Sequence, residues 1–308
     1  MAEMKPKKNQ HFVPKFYLRE WCKPGTDQVF VYDNTTKISW PCNIDKIAAE
    51  NYFYDFDLKE FFSEETVNAL CSSGIAPNGR LQIIENMFSE NLEGPFATHF
   101  AEIIEKARES TPWIRRECYF VSSEIKEALS VYLAFQFFRT KAIRSFIKES
   151  GDRIAQFARR LGAPEEKIEE ITLSKERAKR IHNRMLLDKE QIMKSAYLFY
   201  RLTWILGVNK TNGLFYTSDN PIALRGHEKT DHLHGVGLST PGVEIAYPLS
   251  PDLILVMVDG EYHKHVQPKD RRYFEISRLE NIMYYNSLTT FNAQRFVISM
   301  DDSFCDKI

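Results

Sequence analysis

The chain has 308 residues, of which 43% are hydrophobic and 13% are aromatic. That composition can fill a substantial core and argues against disorder. Lys and Arg total 41 against 42 Asp and Glu, so no overall field attracts nucleic acid or an anionic membrane. A nucleic-acid or nucleotide partner would need a local patch. No apolar run reaches the roughly 18 residues of a membrane helix, so we expect no membrane association.

The cysteines favour a reducing compartment. All five are widely scattered, and none forms a Cys-x-x-Cys pair. Neither a disulfide framework nor a zinc knuckle is indicated. The lysines at the N-terminus are not followed by an apolar signal segment, so we predict a cytoplasmic protein.

An aromatic run near the N-terminus, residues 10–21, contains an imidazole, a proline and a guanidinium. Proline suits the first turn of a helix, so Pro14 to Trp21 is predicted to be a short helix with His11 just ahead of it. His11 and Arg19 are costly in such a run unless they have partners. Both are therefore candidate site residues.

The next segments predict a β-hairpin, followed by a segment that leads the chain back toward the hydrophobic core. Two β-rich runs, 28–33 and 37–40, flank the turn-forming residues 34–36. Residues 44–54 follow and place Glu50 beside three aromatic residues. Glu50 either stays solvated at the edge of an element or points into a site with His11.

The middle of the chain is predicted to be helical, because apolar residues recur there at three- and four-residue steps. The helix that ends at Phe138 is apolar nearly all round and should be central. Gln136 and Arg139 lie on one face of it. Arg139 needs either an internal ion pair or a ligand's phosphate or carboxylate.

The charged section 152–194 is expected to be a solvated helical face or hairpin, with a partner-binding arm as the alternative.

The last third changes to short strands, with a final helix over about 273–292 and a strand after it. The predicted fold class is α+β: an N-terminal short helix and β-hairpin, a central helical bundle, and a small C-terminal antiparallel sheet with a final helix. We expect one domain over 1–308. Its parts are a hairpin region to about 56, a helical middle of about 57–208 and an α/β part from about 209.

Residues 217–221, Thr-Ser-Asp-Asn-Pro, place polar side chains directly after a β-rich run. The proline forces Asn220 into an extended conformation, and loops behind strands often carry sites. Asp219 and Asn220 either satisfy their own backbone in an Asx turn or belong to a site.

Several of these segments resemble one family. Residues 11–18, His-Phe-Val-Pro-Lys-Phe-Tyr-Leu, resemble the opening signature His-x-x-Pro-x-x-Tyr/Phe-Leu of a bacterial family catalogued as a domain of unknown function, number 4238. Further matches run in the family's order: 49–54, Gln136 with Arg139 and Thr140, 215–221, 248–251, and Asn286. The resemblance implies a bacterial protein, of a mobile-element or defence type, and favours a site at residues 217–221. It carries over no settled activity.

Five histidines, of which the first is His227, suggest a metal site at first sight. The other four form two pairs, His232 with His234 and His263 with His265, and the two-residue spacing would place each pair on one face of a strand. Their surroundings are rich in Gly, Asp and Lys, which is typical of surface loops, and no thiolate or His-Glu-x-x-His arrangement accompanies them. We predict that these segments bind no metal.

Two hypotheses remain, since the signatures of nucleoside triphosphatases, dinucleotide-binding proteins and serine hydrolases are absent from the sequence. The first is a hydrolase of phosphodiester or nuclease type. His11 would be its general acid or base, and Glu50 with Asp219 would position water or a divalent metal ion. Binding of substrate and stabilisation of a phosphoryl oxygen would fall to Arg19, Gln136, Arg139, Asn220 and Asn286.

The second hypothesis is a non-catalytic sensor or protein-interaction module. In that case the polar residues only tie the layers of the fold together, and they need not open onto a common cavity. Convergence of these side chains in one cavity would favour the enzyme.

Overall fold

The computed structural model describes residues 7–76, 79–227 and 236–303, and it confirms the α+β class. The chain opens with strand β1 (Asn9–His11) and the short helix α1 (Lys15–Arg19), for which Pro14 is the N-cap in extended backbone. β1 pairs antiparallel with β4 (Ala49–Asn51), and Gln10 lies opposite Glu50. The short helix behind His11 is therefore as predicted.

The predicted hairpin is also confirmed, as β2 (Gln28–Asp33) and β3 (Ser39–Asn43). Two C-terminal strands, β8 (Thr217–Ser218) and β13 (Phe296–Ser299), extend it into a four-stranded sheet of order β3-β2-β13-β8. The beginning and end of the chain therefore share one sheet.

A second sheet has the order β12-β7-β11-β10-β9. Its strands are β7 (Thr203–Asn209), β9 (Ala223–Gly226), β10 (Val243–Ser250), β11 (Leu253–Val258) and β12 (Arg272–Ile276). The sheet is mixed and not antiparallel throughout as predicted, because β12 runs parallel to β7 while the other pairs are antiparallel. β10 and β11 are buried along their whole length, as strands covered on both faces are.

Two boundaries differ from the sequence-based expectation. The helical middle, expected to reach about residue 208, ends before β7, because Thr203–Asn209 pairs with a strand on each side. The final helix is α11 (Leu279–Asn292), since residues 272–276 form β12 instead of its first turns. Both segments are rich in aromatic or β-branched residues, and tertiary pairing decides their conformation.

Nine helices lie between β4 and β7 along the described part of the chain. They are α2 (Glu64–Ser72), α3 (Ile83–Asn86), α4 (Glu93–Glu109), α5 (Pro112–Glu117), α6 (Ser123–Phe138), α7 (Lys141–Arg160), α8 (Glu165–Ile171), α9 (Lys175–Leu187) and α10 (Lys189–Arg201). The smaller elements are β5 (Phe56–Asp57), β6 (Arg80–Leu81), a short π-helix (Met87–Leu92) and the 3-10 turns Ile44–Lys46, Leu58–Glu60 and Gln267–Lys269. Section 152–194 is helical, as predicted.

α6 is the central helix, as its apolar circumference predicted. Ser122 caps its N-terminus by accepting a bond from the Ile125 N–H at 3.2 Å. At its other end only Arg139, the C-cap, and Thr140, the N-cap of α7, separate the two helices. We call residues 139–141 the corner.

One hydrophobic cluster draws on all three predicted parts of the chain. It includes Val13 from the N-terminal region, Leu133 from α6 and Met257 from β11, each at most 1% exposed. Such a continuous core holds the sheets and helices around α6. In the described residues, no helix is long and apolar enough to cross a membrane.

Candidate functional site

Each of the three corner residues contacts a different distant segment. Arg139 donates from Nη2 to the backbone oxygen of His11 at 2.7 Å, and the Thr140 hydroxyl donates to Asn220 Oδ1 at 3.2 Å. Lys141 forms an ion pair with Glu50. Segments singled out in the sequence at residues 11, 50, 139 and 220 therefore meet around one helix junction.

Arg139 takes the internal ion pair that the sequence left as one of two alternatives. Its side chain is 2% exposed, and Nη2 lies 3.0 Å from Glu93 Oε1. The Tyr54 hydroxyl donates to the Arg139 carbonyl at 2.8 Å, and the guanidinium lies 4.1 Å from the Phe88 ring centroid. Burial alone would lower the pKa of Arg139, but Tyr54 and Glu93 raise it above its ordinary value. This buried charge is therefore compensated within the protein.

His11 and Gln136 are buried and hydrogen-bonded to backbone. His11 Nε2 lies 2.9 Å from the Ile44 carbonyl oxygen, so the ring donates from that nitrogen. Burial lowers the pKa of His11, which favours the neutral imidazole. Gln136 is fully buried and donates to the Phe12 carbonyl at 3.2 Å, while its Oε1 has no partner among the described residues. Both side chains fix the backbone around β1.

Asp219 joins the end of β8 to the segment before β13. Its carboxylate accepts the Gln294 N–H at 2.9 Å and the Arg295 N–H at 3.0 Å. These donors lie more than seventy residues away, so Asp219 makes a long-range link and not the local Asx turn. Burial raises the pKa of Asp219 to about 6, against the effect of its bonds to backbone N–H groups.

The two asparagines make similar links to α11. Asn220 donates to the Asn292 carbonyl at 2.9 Å. Asn286 accepts the Tyr216 N–H and donates to the Leu214 carbonyl, both at 2.8 Å. Arg19, in contrast, is exposed on α1, and the structure does not bring it to the corner.

A cleft of about 570 Å³ opens beside the corner, between β4, α7 and α9. Of the predicted site residues, Glu50 lines it. The lining residues carry six Lys or Arg and five Asp or Glu side chains: Glu50, Asp57, Glu60, Arg80, Lys141, Arg144, Ser145, Lys148, Glu149, Lys175, Glu176, Ala178 and Lys179.

Two cations of the cleft, Arg144 and Lys179, are half-buried without a carboxylate partner. Arg144 donates to the Phe53 carbonyl at 2.8 Å and lies 3.0 Å from His182 Nδ1. Lys179 donates to the Tyr52 carbonyl at 2.7 Å. Within the described part of the chain, neither has a carboxylate oxygen within 4.0 Å.

The pKa values of these two cations reflect that environment. Burial lowers the pKa of Arg144 to about 10, and Tyr54 and the carboxylate of Glu50 only partly offset this. Burial also lowers the pKa of Lys179, and the charge of Arg144 lowers it further. The folded protein therefore holds both charges at a cost that an anion in the cleft would reduce.

Most carboxylates of the cleft are already engaged with other groups. Asp57 pairs with Arg80 at 3.0 Å, Glu60 pairs with Arg180 at 2.8 Å, and Glu50 pairs with Lys141. Hydrogen bonds to its own backbone N–H and to Ser174 lower the pKa of Glu176 at the start of α9. These pairs leave the charges of Arg144 and Lys179 without direct neutralisation.

Tyr52 at the rim of the cleft has an unusual backbone conformation. Its φ of 55° lies in the left-handed region, which residues other than glycine seldom adopt. The conformation aims its carbonyl at Lys179, while its ring lies 4.5 Å from the Arg80 guanidinium. Backbone strain of this kind often accompanies ligand sites.

Sequence reasoning did not select His182 and Asn183, which match a nuclease motif poorly but connect the cleft to the corner. His182 is fully buried, donates from Nε2 to the Phe138 carbonyl at 2.7 Å and accepts from Arg144 at Nδ1. Burial and the charge of Arg144 lower the pKa of His182 to about 3. Asn183 donates to the Tyr54 carbonyl at 2.8 Å.

A sequence signal for His182 existed. It is four residues from Ala178 and four from Leu186, and all three share the buried face of α9. Arg144 had a weaker signal, since Lys141, Arg144 and Lys148 recur on one face of α7.

Three of the five histidines considered for metal binding lie close together in the structure. The His227 ring lies 5.1 Å from His263, which lies 6.2 Å from His265, and His227 Nε2 is 2.7 Å from Glu244 Oε2. His232 and His234 lie outside the described residues. Among the residues described, no group of three or more His, Cys, Asp or Glu side chains is arranged to hold a metal ion.

Fold and site together define an α+β protein in which a compensated polar corner lies beside a cleft with uncompensated cations. The model of the family described as "Protein of unknown function (DUF4238)" matches residues 9–303, and the chain belongs to this family. Neither the curated proteins nor the solved structures gave a significant match.

Proposed function

We propose that this protein binds a phosphate group of its ligand in the cleft and acts as a sensor. The observation that carries the proposal is the pair of half-buried cations, Arg144 and Lys179, which have no carboxylate partner in the described residues. A bound anion would supply the missing counter-charge where water is partly excluded.

The geometry of the cleft suits such a ligand. Its volume of about 570 Å³ lies within the usual range for small-molecule sites. Arg144 and Lys148 approach from α7, while Lys175 and Lys179 approach from α9, so an anion between the helices would meet positive charge on two sides. A guanidinium matches two phosphate oxygens, and the ammonium groups act as point charges.

The corner supports this cleft instead of reacting in it. Arg144 follows it one turn along α7, and the hydrogen bonds of Arg139 and Thr140 fix where that helix begins. Under this proposal His11, Asp219, Asn220 and Asn286 hold the surrounding backbone. This corresponds to the sensor hypothesis, in which the polar cluster ties the layers of the fold together.

The proposal is tested by calorimetric titration with inorganic pyrophosphate and a panel of nucleotides. We expect binding by the parent and an affinity at least about tenfold weaker in Lys179→Met, which corresponds to about 1.4 kcal/mol. The matched control is Lys194→Met, because Lys194 is 74% exposed on α10 and pairs with Glu190. No binding by the parent, or equal loss in both variants, would refute the proposal.

A phosphodiester hydrolase of nuclease type at the same cleft is the second candidate. Glu50 favours it, because its half-exposed carboxylate lines the cleft beside Lys141 and the uncompensated cations. Glu50 would activate water while Arg144 stabilises a phosphoryl oxygen. His11 and Asp219 could take part in a reaction only by giving up the bonds described above.

The two candidates are separated by turnover. A phosphodiesterase would hydrolyse bis(p-nitrophenyl) phosphate or oligonucleotides, with or without Mg²⁺, and Glu50→Gln would abolish turnover while binding remains. Binding without hydrolysis under any of these conditions supports the sensor.

A further inference from the structure

A second groove, of about 550 Å³, lies on the other side of α9 from the cleft. The residues that line it are Phe56, Phe61, Arg177, Arg180, Ile181 and Arg184. At helical spacing, positions 177, 180 and 184 share one face of α9, opposite to Lys175 and Lys179. One helix therefore separates the cleft from a groove that is lined by three arginines.

α9 concentrates positive charge in a chain that is nearly neutral overall. It carries five Lys or Arg residues and one Glu, whereas the whole chain has 41 basic and 42 acidic residues. Arg180 pairs with Glu60 at 2.8 Å, and Arg177 donates to the Glu170 carbonyl. Arg184 is exposed and has no carboxylate within 4.0 Å among the described residues. This is a local patch of the kind that a polyanion requires.

Exposed aromatic rings accompany this charge. Phe61 is 52% exposed at the groove, and its neighbour Phe62 is 50% exposed. Both follow the 3-10 turn Leu58–Glu60, whose Glu60 also lines the cleft. Exposed rings beside arginines are the combination on which unpaired bases stack while their phosphates contact cations.

We infer that the ligand is single-stranded nucleic acid that crosses α9. One phosphate occupies the cleft at Arg144 and Lys179, phosphates further along the strand contact the arginine face, and a base stacks on Phe61. The inference rests on the proposed function, because the cleft supplies the first phosphate site. A duplex keeps its bases stacked and paired, so it could not use Phe61. An acidic peptide would meet the cations but would lack the stacking partner.

Fluorescence anisotropy tests this with labelled twelve-residue oligo-dT and oligo-U, a duplex of the same length and an oligo-glutamate peptide. We expect a single strand to bind, and Phe61→Ala to weaken that binding by roughly fivefold or more, the range for loss of one stacked base. Phe61→Leu keeps an apolar side chain without the ring and should show the same loss. Phe291→Ala is the matched control, since Phe291 is 88% exposed on α11.

The salt dependence gives a second readout. Arg184→Ala should reduce the slope of log K against log salt by about 0.7, the value for one phosphate contact of a single strand. Thermal melts of each variant confirm that it is folded.

The outcomes separate this inference from the function on which it rests. Pyrophosphate binding that depends on Lys179, without a Phe61-dependent single-strand complex, overturns the inference and leaves the proposed function standing. Tighter binding of the duplex or the oligo-glutamate peptide than of both single strands also overturns it. If the parent binds neither pyrophosphate nor any of the oligonucleotides, both the inference and the proposed function are refuted.

Discussion

Two arginines five residues apart, Arg139 and Arg144, show how the corner and the cleft differ. Arg139 is buried against Glu93 and Tyr54, which keep its pKa above the ordinary value. Arg144 is half-buried with carbonyl and imidazole partners, and burial lowers its pKa to about 10. The first charge is matched within the fold, while the second still lacks a counter-charge.

That difference separates polar groups that stabilise the fold from those available to a ligand. A buried charge with partners on every side contributes to structure, and removal of one partner leaves the other unpaired. A half-buried cation without an anion is instead a candidate for recognition. Substitutions at the corner should therefore lower the free energy of unfolding, whereas substitutions of the cleft cations should weaken ligand binding.

The largest effect is expected for Arg139→Met. The substitution leaves the Glu93 carboxylate and the His11 carbonyl without their donor, and breaking a buried ion pair costs about 3–5 kcal/mol. Urea denaturation measures the change in the free energy of unfolding. Arg19→Met is the matched control, since Arg19 is exposed and should change stability by less than about 0.5 kcal/mol. Equal effects in the two variants would contradict the assignment of Arg139 to the corner.

Asp219→Ala should have the next largest effect. It removes the buried carboxylate that accepts from the N–H groups of Gln294 and Arg295, and loss of such hydrogen bonds to a charged group costs about 1.5–3 kcal/mol. The same denaturation assay applies, with exposed Asp302→Ala as control. A variant as stable as the parent would show that Asp219 is not a structural link.

The pH dependence of stability should reveal His182. Its folded pKa of about 3 lies below the ordinary unfolded value of about 6.5, so the unfolded chain takes up the proton first on acidification. Stability from this residue is therefore present above about pH 6.5 and falls towards pH 3, by at most about 1.4 kcal/mol per pH unit. Asp219 acts in the opposite direction between about pH 4 and pH 6, since its folded pKa is raised.

The His182 contribution is isolated by comparing the parent with His182→Gln from pH 7 to pH 3.5. The stability advantage of the parent should shrink as the pH falls. A difference between parent and His182→Gln that stays constant with pH would contradict a neutral, buried imidazole.

The smallest effect on stability is expected for Lys179→Met. Because the fold lowers the pKa of Lys179, its charged form adds no net stability near neutral pH, and we expect a change within about 0.5 kcal/mol. Thermal melts check this alongside the binding titration. A loss as large as that of Arg139→Met would place Lys179 with the corner residues.

The sequence predicted elements with strong local patterns. Pro14 marked the short helix, the turn residues 34–36 marked the hairpin, and the apolar circumference of α6 marked the central helix. It missed β7, because strand identity there depends on pairing with β11 and β12, which lie far along the chain. Periodicity reports local propensity, and tertiary pairing overrides it.

The polar residues singled out in the sequence were easier to find than to interpret. His11, Arg139 and Asp219 stood out because polar groups in apolar segments need partners. Whether a partner is a backbone group or a ligand depends on segments more than a hundred residues apart, such as His11 and Arg139. For the same reason, Arg144 could not be recognised as uncompensated among the many charges of 141–187.

The central claim, that the cleft holds cations without a counter-charge, is tested most directly by the titration of Lys179. NMR of protein labelled at lysine Cε, assigned with Lys179→Met, measures the pKa of this ammonium with and without pyrophosphate. We predict a pKa below the ordinary value of about 10.4 in the free protein, and a rise when pyrophosphate binds. A pKa at or above the ordinary value, unchanged by pyrophosphate, would contradict the account.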